Sequence, residues 1–210
     1  MSLFHSDAFL AFRSRDFSLL SVNQLCLILA IMIQEVVIAY SVYQLTQNPL
    51  SLGMIALIEL LPFICLSLIS GDWADRYNRQ KIVQWSFSCS TLIPLLFIVL
   101  FSQYQQQHIQ QNTLLCGIYS LIFCLGILRG IYSPSFNSLR PFLTPEPAYS
   151  NAATWTALIW QMGGILAPLC AGLLLGQLGL EKTLFIVFFL CCVGSICLFG
   201  LSPRQFPSPH

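Results

Sequence analysis

Polar and apolar positions in this chain segregate into long blocks, with no short helical or strand period dominating. After a polar opening to Asp16, apolar runs cover approximately Phe17–Leu45, Leu50–Ser70, Ile82–Ser102, Thr113–Phe136, Ala152–Gly176 and Thr183–Leu201. A helix rises about 1.5 Å per residue, so about 20 apolar residues cross the hydrocarbon core of a bilayer. The pattern predicts an all-α membrane protein with six transmembrane helices over 17–201. Their spacing admits a 3+3 bundle, although the two triplets share no convincing residue identity. Residues 1–16, with Arg13 and Arg15 among Phe9, Leu10 and Phe12, suit an interfacial segment. Residues 202–210 form a tail whose Pro203, Pro207 and Pro209 cannot start another helix. The first run is too long for a signal peptide and is read as a retained span.

Between the runs, the placement of basic residues gives an orientation. Arg13 and Arg15 precede the first run, Arg76, Arg79 and Lys81 separate the second and third, Arg140 follows the fourth and Arg204 the sixth. Lys182 alone falls on the opposite side. Lysine and arginine are retained in the cytoplasm, so the expected topology has both termini inside.

Composition narrows the class further. Hydrophobic residues make up 56% of the 210 and charged residues only 8%, against about 25% charged in soluble domains. The net charge of +1 offers no basic surface for nucleic acid. All nine cysteines lie inside apolar runs with no C-x-x-C pair, so they read as small hydrophobes and neither a metal nor a cofactor site is expected. His5, His108 and His210 fall outside the runs, which removes the base that an intramembrane serine protease needs and the ligands of a haem. No G-x-x-x-x-G-K-S/T loop is present to drive an ATP pump. The chain is not read as an enzyme.

Charges inside hydrocarbon cost at least about 2.5 kcal/mol, so they mark function by default. Three occur: Glu35, Glu59 and Arg129. On the first run, Asn23 and Gln34 are eleven residues apart, as are Gln24 and Glu35, close to three helical turns. They form a polar stripe that must face protein or water. The amides suit interhelical hydrogen bonding as well as a cavity; Glu35 suits a cavity. Arg129 wants an acidic partner, and both Glu59 and Glu35 qualify. Counting along the helices puts Glu35 outside the midplane and Arg129 inside it, which favours a free Glu35. Gln161 on the fifth run completes the candidate substrate and proton pathway.

The inner loop from Gly71 to Lys81 resembles the signature loop of the major facilitator superfamily, G-x-x-x-D-R/K-x-G-R/K-x-R/K. Gly71, Asp75, Arg76, Arg79 and Lys81 match, and Asn78 replaces a glycine in a turn expected to need positive φ. Gly164, Pro168, Gly172 and Gly176 in the fifth run are similar to the family's Gly- and Pro-rich fifth-helix signature, with Ala167 in place of one glycine. Leu57–Pro62, Arg129–Pro134 and Leu158–Pro168 resemble the bacterial efflux subgroup that includes siderophore and macrolide exporters.

The resemblance implies the N-terminal six-helix half of a twelve-helix fold, in a bacterial cytoplasmic membrane. It implies proton-coupled efflux of a small organic molecule, with a gating loop at Gly71–Lys81 and a helix-packing face on the fifth helix. The missing partner would be a second six-helix bundle, as a homodimer or a separate chain. The alternative is a truncated or non-transporting six-helix protein with an assembly role.

Overall fold

Charged and turn-forming residues punctuate the apolar runs, and the helices end where they fall. The structure is a computed structural model describing residues 9–202, Tyr77 and Pro145 excepted, without the side chains of Asp72, Ala74, Asp75 and Arg76. Among the described residues, five α-helices follow a 3-10 turn at Ala11–Arg13: α1 (Arg15–Thr46), α2 (Leu50–Arg76), α3 (Arg79–Gln105), α4 (Gln111–Leu143) and α5 (Tyr149–Phe199). All five are long and apolar enough to cross a membrane. Gln47 stops α1 in the left-handed region at φ 51°, and the Asn48 side chain accepts the Leu50 N–H as α2 begins.

The sequence led us to expect a turn at 176–182 between two helices. The observed break is tighter. Within α5 only Gly179 leaves helical geometry, at φ 80° and ψ 178°, a region open to glycine. Both ends of α5 nevertheless meet the start of the chain: Asn151 accepts the Ala11 N–H and Ser202 donates to Asp16. A straight helix would hold those ends about 75 Å apart. The chain therefore doubles back at Gly179, and α5 consists of two arms, 149–178 and 180–199, each lying along α1: Gln24 donates to Thr156 O, and Asn23 to Gly194 O.

Lateral bonds define the two ends of the bundle. At one end Ser14 donates to Leu143 O, Gln80 to Leu201 O, and Arg79 lies over the Phe142 ring. At the other, Gln111 reaches Leu45 O. At the first end Phe9 packs tilted and Phe12 edge-on against Trp155, and Phe17 meets Phe12 edge-on, so the N-terminal segment is tied to α5. The main core joins α1, α3, α4 and α5 through residues such as Val37, Phe97, Ile118 and Leu184.

α2 is the least covered helix, and its main neighbour is α4. The two meet backbone to backbone at Gly126 and Gly130. A Cβ at Gly126 would lie 2.3 Å from Glu59 O and 2.7 Å from the Pro62 ring, and Ser70 donates to Gly130 O at 2.7 Å. Small residues four apart permit this approach, and lipid supplies no hydrophobic drive to replace it. Gly126→Ala is expected to cost about 1–3 kcal/mol by forcing the helices apart. Gly164→Ala, where a Cβ meets nothing within 4 Å, is expected to be neutral. Thermal unfolding in detergent, followed with a maleimide dye on the buried cysteines, separates the two; equal midpoints would overturn the assignment.

Candidate functional site

The α2 and α4 contact delivers Glu59 to Arg129, and α1 brings Glu35 to the same guanidinium. Arg129 Nη2 lies 2.7 Å from a Glu35 carboxylate oxygen, and Nη1 donates to Glu59. One arginine thus bridges two carboxylates from two other helices. Its planar fork presents a separate nitrogen to each, a fixed geometry that the point-like ammonium of a lysine does not offer. The expectation of a free Glu35 is corrected here: the two long side chains close the axial gap that the residue count implied. The arms differ in exposure, with Glu35 at 47% and Glu59 at 16%.

This triad lies in the wall of a cavity of about 570 Å³ lined by α1, α2, α4 and the first arm of α5. A smaller cavity of about 60 Å³ shares the triad and continues toward Gln34, Phe87 and Ser90. The polar stripe of α1 divides between two tasks. Asn23 is fully buried, accepts from Tyr132 OH at 3.0 Å and donates to Gly194 O at 3.0 Å, so it ties three elements together. Gln24 lines the larger cavity and Gln34 the smaller. Gln161 is exposed on α5 and stands apart from both.

At the loop between α2 and α3, Asp75 and Arg76 end a helix, but their side chains lie outside the described residues. Asn78 is not a positive-φ turn residue. It sits at φ −67° as the N-cap of α3, its side-chain oxygen accepting the Lys81 N–H at 3.3 Å. Capping is what asparagine does well, which explains its presence where the signature has glycine. Gly71 continues α2, and Lys81 is exposed.

The small residues of α5 form two neighbouring stripes. Ala167 and Ala171 are fully buried, and a Cβ on Gly163 would meet Ile28 at 2.4 Å, so this stripe faces α1. Gly164, Gly172 and Gly176 have open space at the Cβ position and Pro168 is exposed. The expected packing face has no helix against it among the described residues.

Sequence reasoning missed Gly126 and Gly130, although their four-residue spacing carries the same signal as the stripe on α5. It also gave Arg140 only a topological role. Arg140 lines the larger cavity and donates to Gln24 at 3.4 Å.

The Major Facilitator Superfamily model matches residues 20–209. The chain is similar to the uncharacterized MFS-type transporter YfiS of Bacillus subtilis (strain 168), 24% identical over 75% of this chain and 36% of that protein. It is similar to the staphyloferrin A transporter of Staphylococcus aureus, 25% identical over 61% of this chain and 31% of the relative. With the multi-drug resistance efflux pump PmrA of Streptococcus pneumoniae it shares 28% identity over 63% of this chain and 30% of the pump. The chain thus spans about a third of the length of the curated relatives it matches. These matches point to a transporter rather than an enzyme.

Proposed function

The chain belongs to the major facilitator superfamily, and from that premise we propose that it is a six-helix half of a proton-coupled exporter of small organic molecules. The observation that carries the reading is the Glu35–Arg129–Glu59 triad, set in the wall of a cavity that leaves Glu35 nearly half exposed. A protonatable carboxylate held on an arginine is a switch: a proton cancels its charge and releases one arm of the guanidinium. Exporting relatives support the direction of transport.

Counting each arm of α5 as one crossing gives six transmembrane helices, a 3+3 bundle over 17–201 flanked by cytoplasmic segments 1–16 and 202–210. The end that gathers Arg13, Arg15, Arg79, Lys81 and Arg140 faces the cytoplasm of a bacterial cell, and Lys182 faces outward. The loop Gly71–Lys81 serves as the gate. Alternating access needs a second bundle rocking against the first, supplied by a second copy or by further sequence. The uncovered Gly164–Pro168–Gly172–Gly176 face leaves room for one of its helices.

The test is dye efflux from energised bacterial cells expressing the chain, with its oligomeric state measured in nanodiscs. Expected is extrusion of an aromatic dye that a protonophore abolishes, from an assembly holding at least two bundles. Efflux indifferent to the protonophore would overturn proton coupling. A monomer that extrudes nothing would favour a non-transporting assembly role.

A further inference from the structure

Arg129 is neutralised twice, whereas the second arginine on the same cavity wall, Arg140, meets no carboxylate among the described residues. Arg140 lies eleven residues further along α4, about 16 Å away along the axis, beyond the reach of Glu35 and Glu59. Its guanidinium rests over the Phe136 ring at 5.0 Å and donates to the Gln24 carboxamide oxygen at a long 3.4 Å. Its Nε is enclosed by protein and has no hydrogen-bond partner. Among the described residues no carboxylate pairs with it. An enclosed donor without an acceptor is costly, more so on a charged group, so among the described residues this corner of the cavity lacks one negatively charged acceptor.

We infer that Arg140 anchors the anionic group of the transported molecule, and that the substrate class is an amphipathic organic anion. This rests on the cavity being the transport pathway, and it names what the pathway selects. A carboxylate or phosphate drawing the guanidinium toward the cavity gives Nε its acceptor and matches the fork of donors that arginine presents. Beside it, the exposed ring of Trp160 lines the same cavity and offers an apolar body a flat surface to rest on, while the buried Tyr132 and Phe136 close the wall behind the guanidinium. The exposed amide of Asn137 stands next to the anchor. The volume of about 570 Å³ suits a molecule of drug size. Arg140 sits at the end of the cavity proposed as cytoplasmic, where an exporter collects its load.

The same chemistry is carried by the headgroup of an anionic lipid, so the test separates the two. The purified full chain in phosphatidylcholine nanodiscs is titrated with dansylglycine and with its neutral amide, read by energy transfer from tryptophan. The acid is expected to bind about tenfold tighter than the amide. Arg140→Gln removes that preference; Arg140→Lys, a guard against misfolding, keeps part of it. Replacing half of the lipid by phosphatidylglycerol leaves the acid's affinity in place. Equal binding of acid and amide, no binding of either, or an Arg140→Gln variant that still prefers the acid overturns the proposal. So does competition by phosphatidylglycerol, which assigns Arg140 to a lipid headgroup. Binding is scored apart from transport: an acid preference in a protein that moves nothing refutes export, and intact export without the preference refutes the anion site.

Discussion

Arg129→Gln is expected to lower the thermal midpoint of the purified chain more than any other single substitution in the cavity. Glu59→Gln in the same background is expected to restore most of the loss. The substitution leaves two carboxylates facing each other with no cation between them. Breaking a buried ion pair by removing one partner costs about 3–5 kcal/mol, chiefly because the other charge stays buried. Glu59, at 16% exposure, carries most of that cost; Glu35, at 47%, is better solvated and its share is that of a surface pair, about 0–1 kcal/mol. Neutralising Glu59 therefore removes the larger penalty, while Glu35→Gln in the Arg129→Gln background recovers little. Arg129→Lys should fall between, since an ammonium keeps the positive charge but loses the rigid fork that gives each carboxylate its own nitrogen. Equal midpoints for Arg129→Gln and Arg129→Gln/Glu59→Gln would mean that the arginine stabilises through its contacts with neighbouring side chains and not through charge.

Length and charge made the helices legible, because hydrocarbon thickness fixes how many apolar residues a crossing needs and basic residues mark its ends. The helix starts at Leu50, Arg79 and Gln111 lie close to the residues where the apolar runs begin. The candidate site was legible in its members, since an intramembrane Glu35, Glu59 or Arg129 stands out against its surroundings. Their mutual geometry was not. Pairing depends on how far α1 and α2 lie from α4 and on which way long side chains lean, and a residue count along separate rods contains neither. Gly126 and Gly130, which set one of those distances, look on paper like any other small pair. Gly164 and Gly163 teach the converse: adjacent small residues point about 100° apart on a helix, and only the structure shows that Gly163 meets α1 while Gly164 meets nothing. Arg140 was read for its sign at a helix end, and its unpaired Nε is a property of three-dimensional surroundings.

Glu35→Gln is expected to abolish proton-driven efflux while leaving the fold and substrate exchange intact. Both carboxylates of the triad hold Arg129, but only one has ready access to a proton. Glu35 is nearly half exposed on the cavity, where water can deliver and remove protons; Glu59 is largely enclosed against α4 at the Gly126 contact. A proton on Glu35 converts an anion to a neutral acid and frees one edge of the Arg129 fork, leaving the Glu59 arm in place. That change alters the charge of the cavity wall by one unit, and in the proposed exporter it would bias which side of the membrane the cavity faces. Glutamine keeps the size and the hydrogen bond to Arg129 but is fixed in the neutral form. In proteoliposomes of the complete assembly, net uphill movement driven by a pH gradient should fall at least tenfold, because the gradient no longer has a group to titrate. Substrate counterflow, which needs the cavity to alternate but no net proton movement, should persist. The thermal midpoint should drop by less than with Glu59→Gln, in keeping with the exposure of the Glu35 arm. Full proton-driven efflux in a folded Glu35→Gln variant would remove Glu35 from the coupling step and leave Glu59 as the residue that carries the proton.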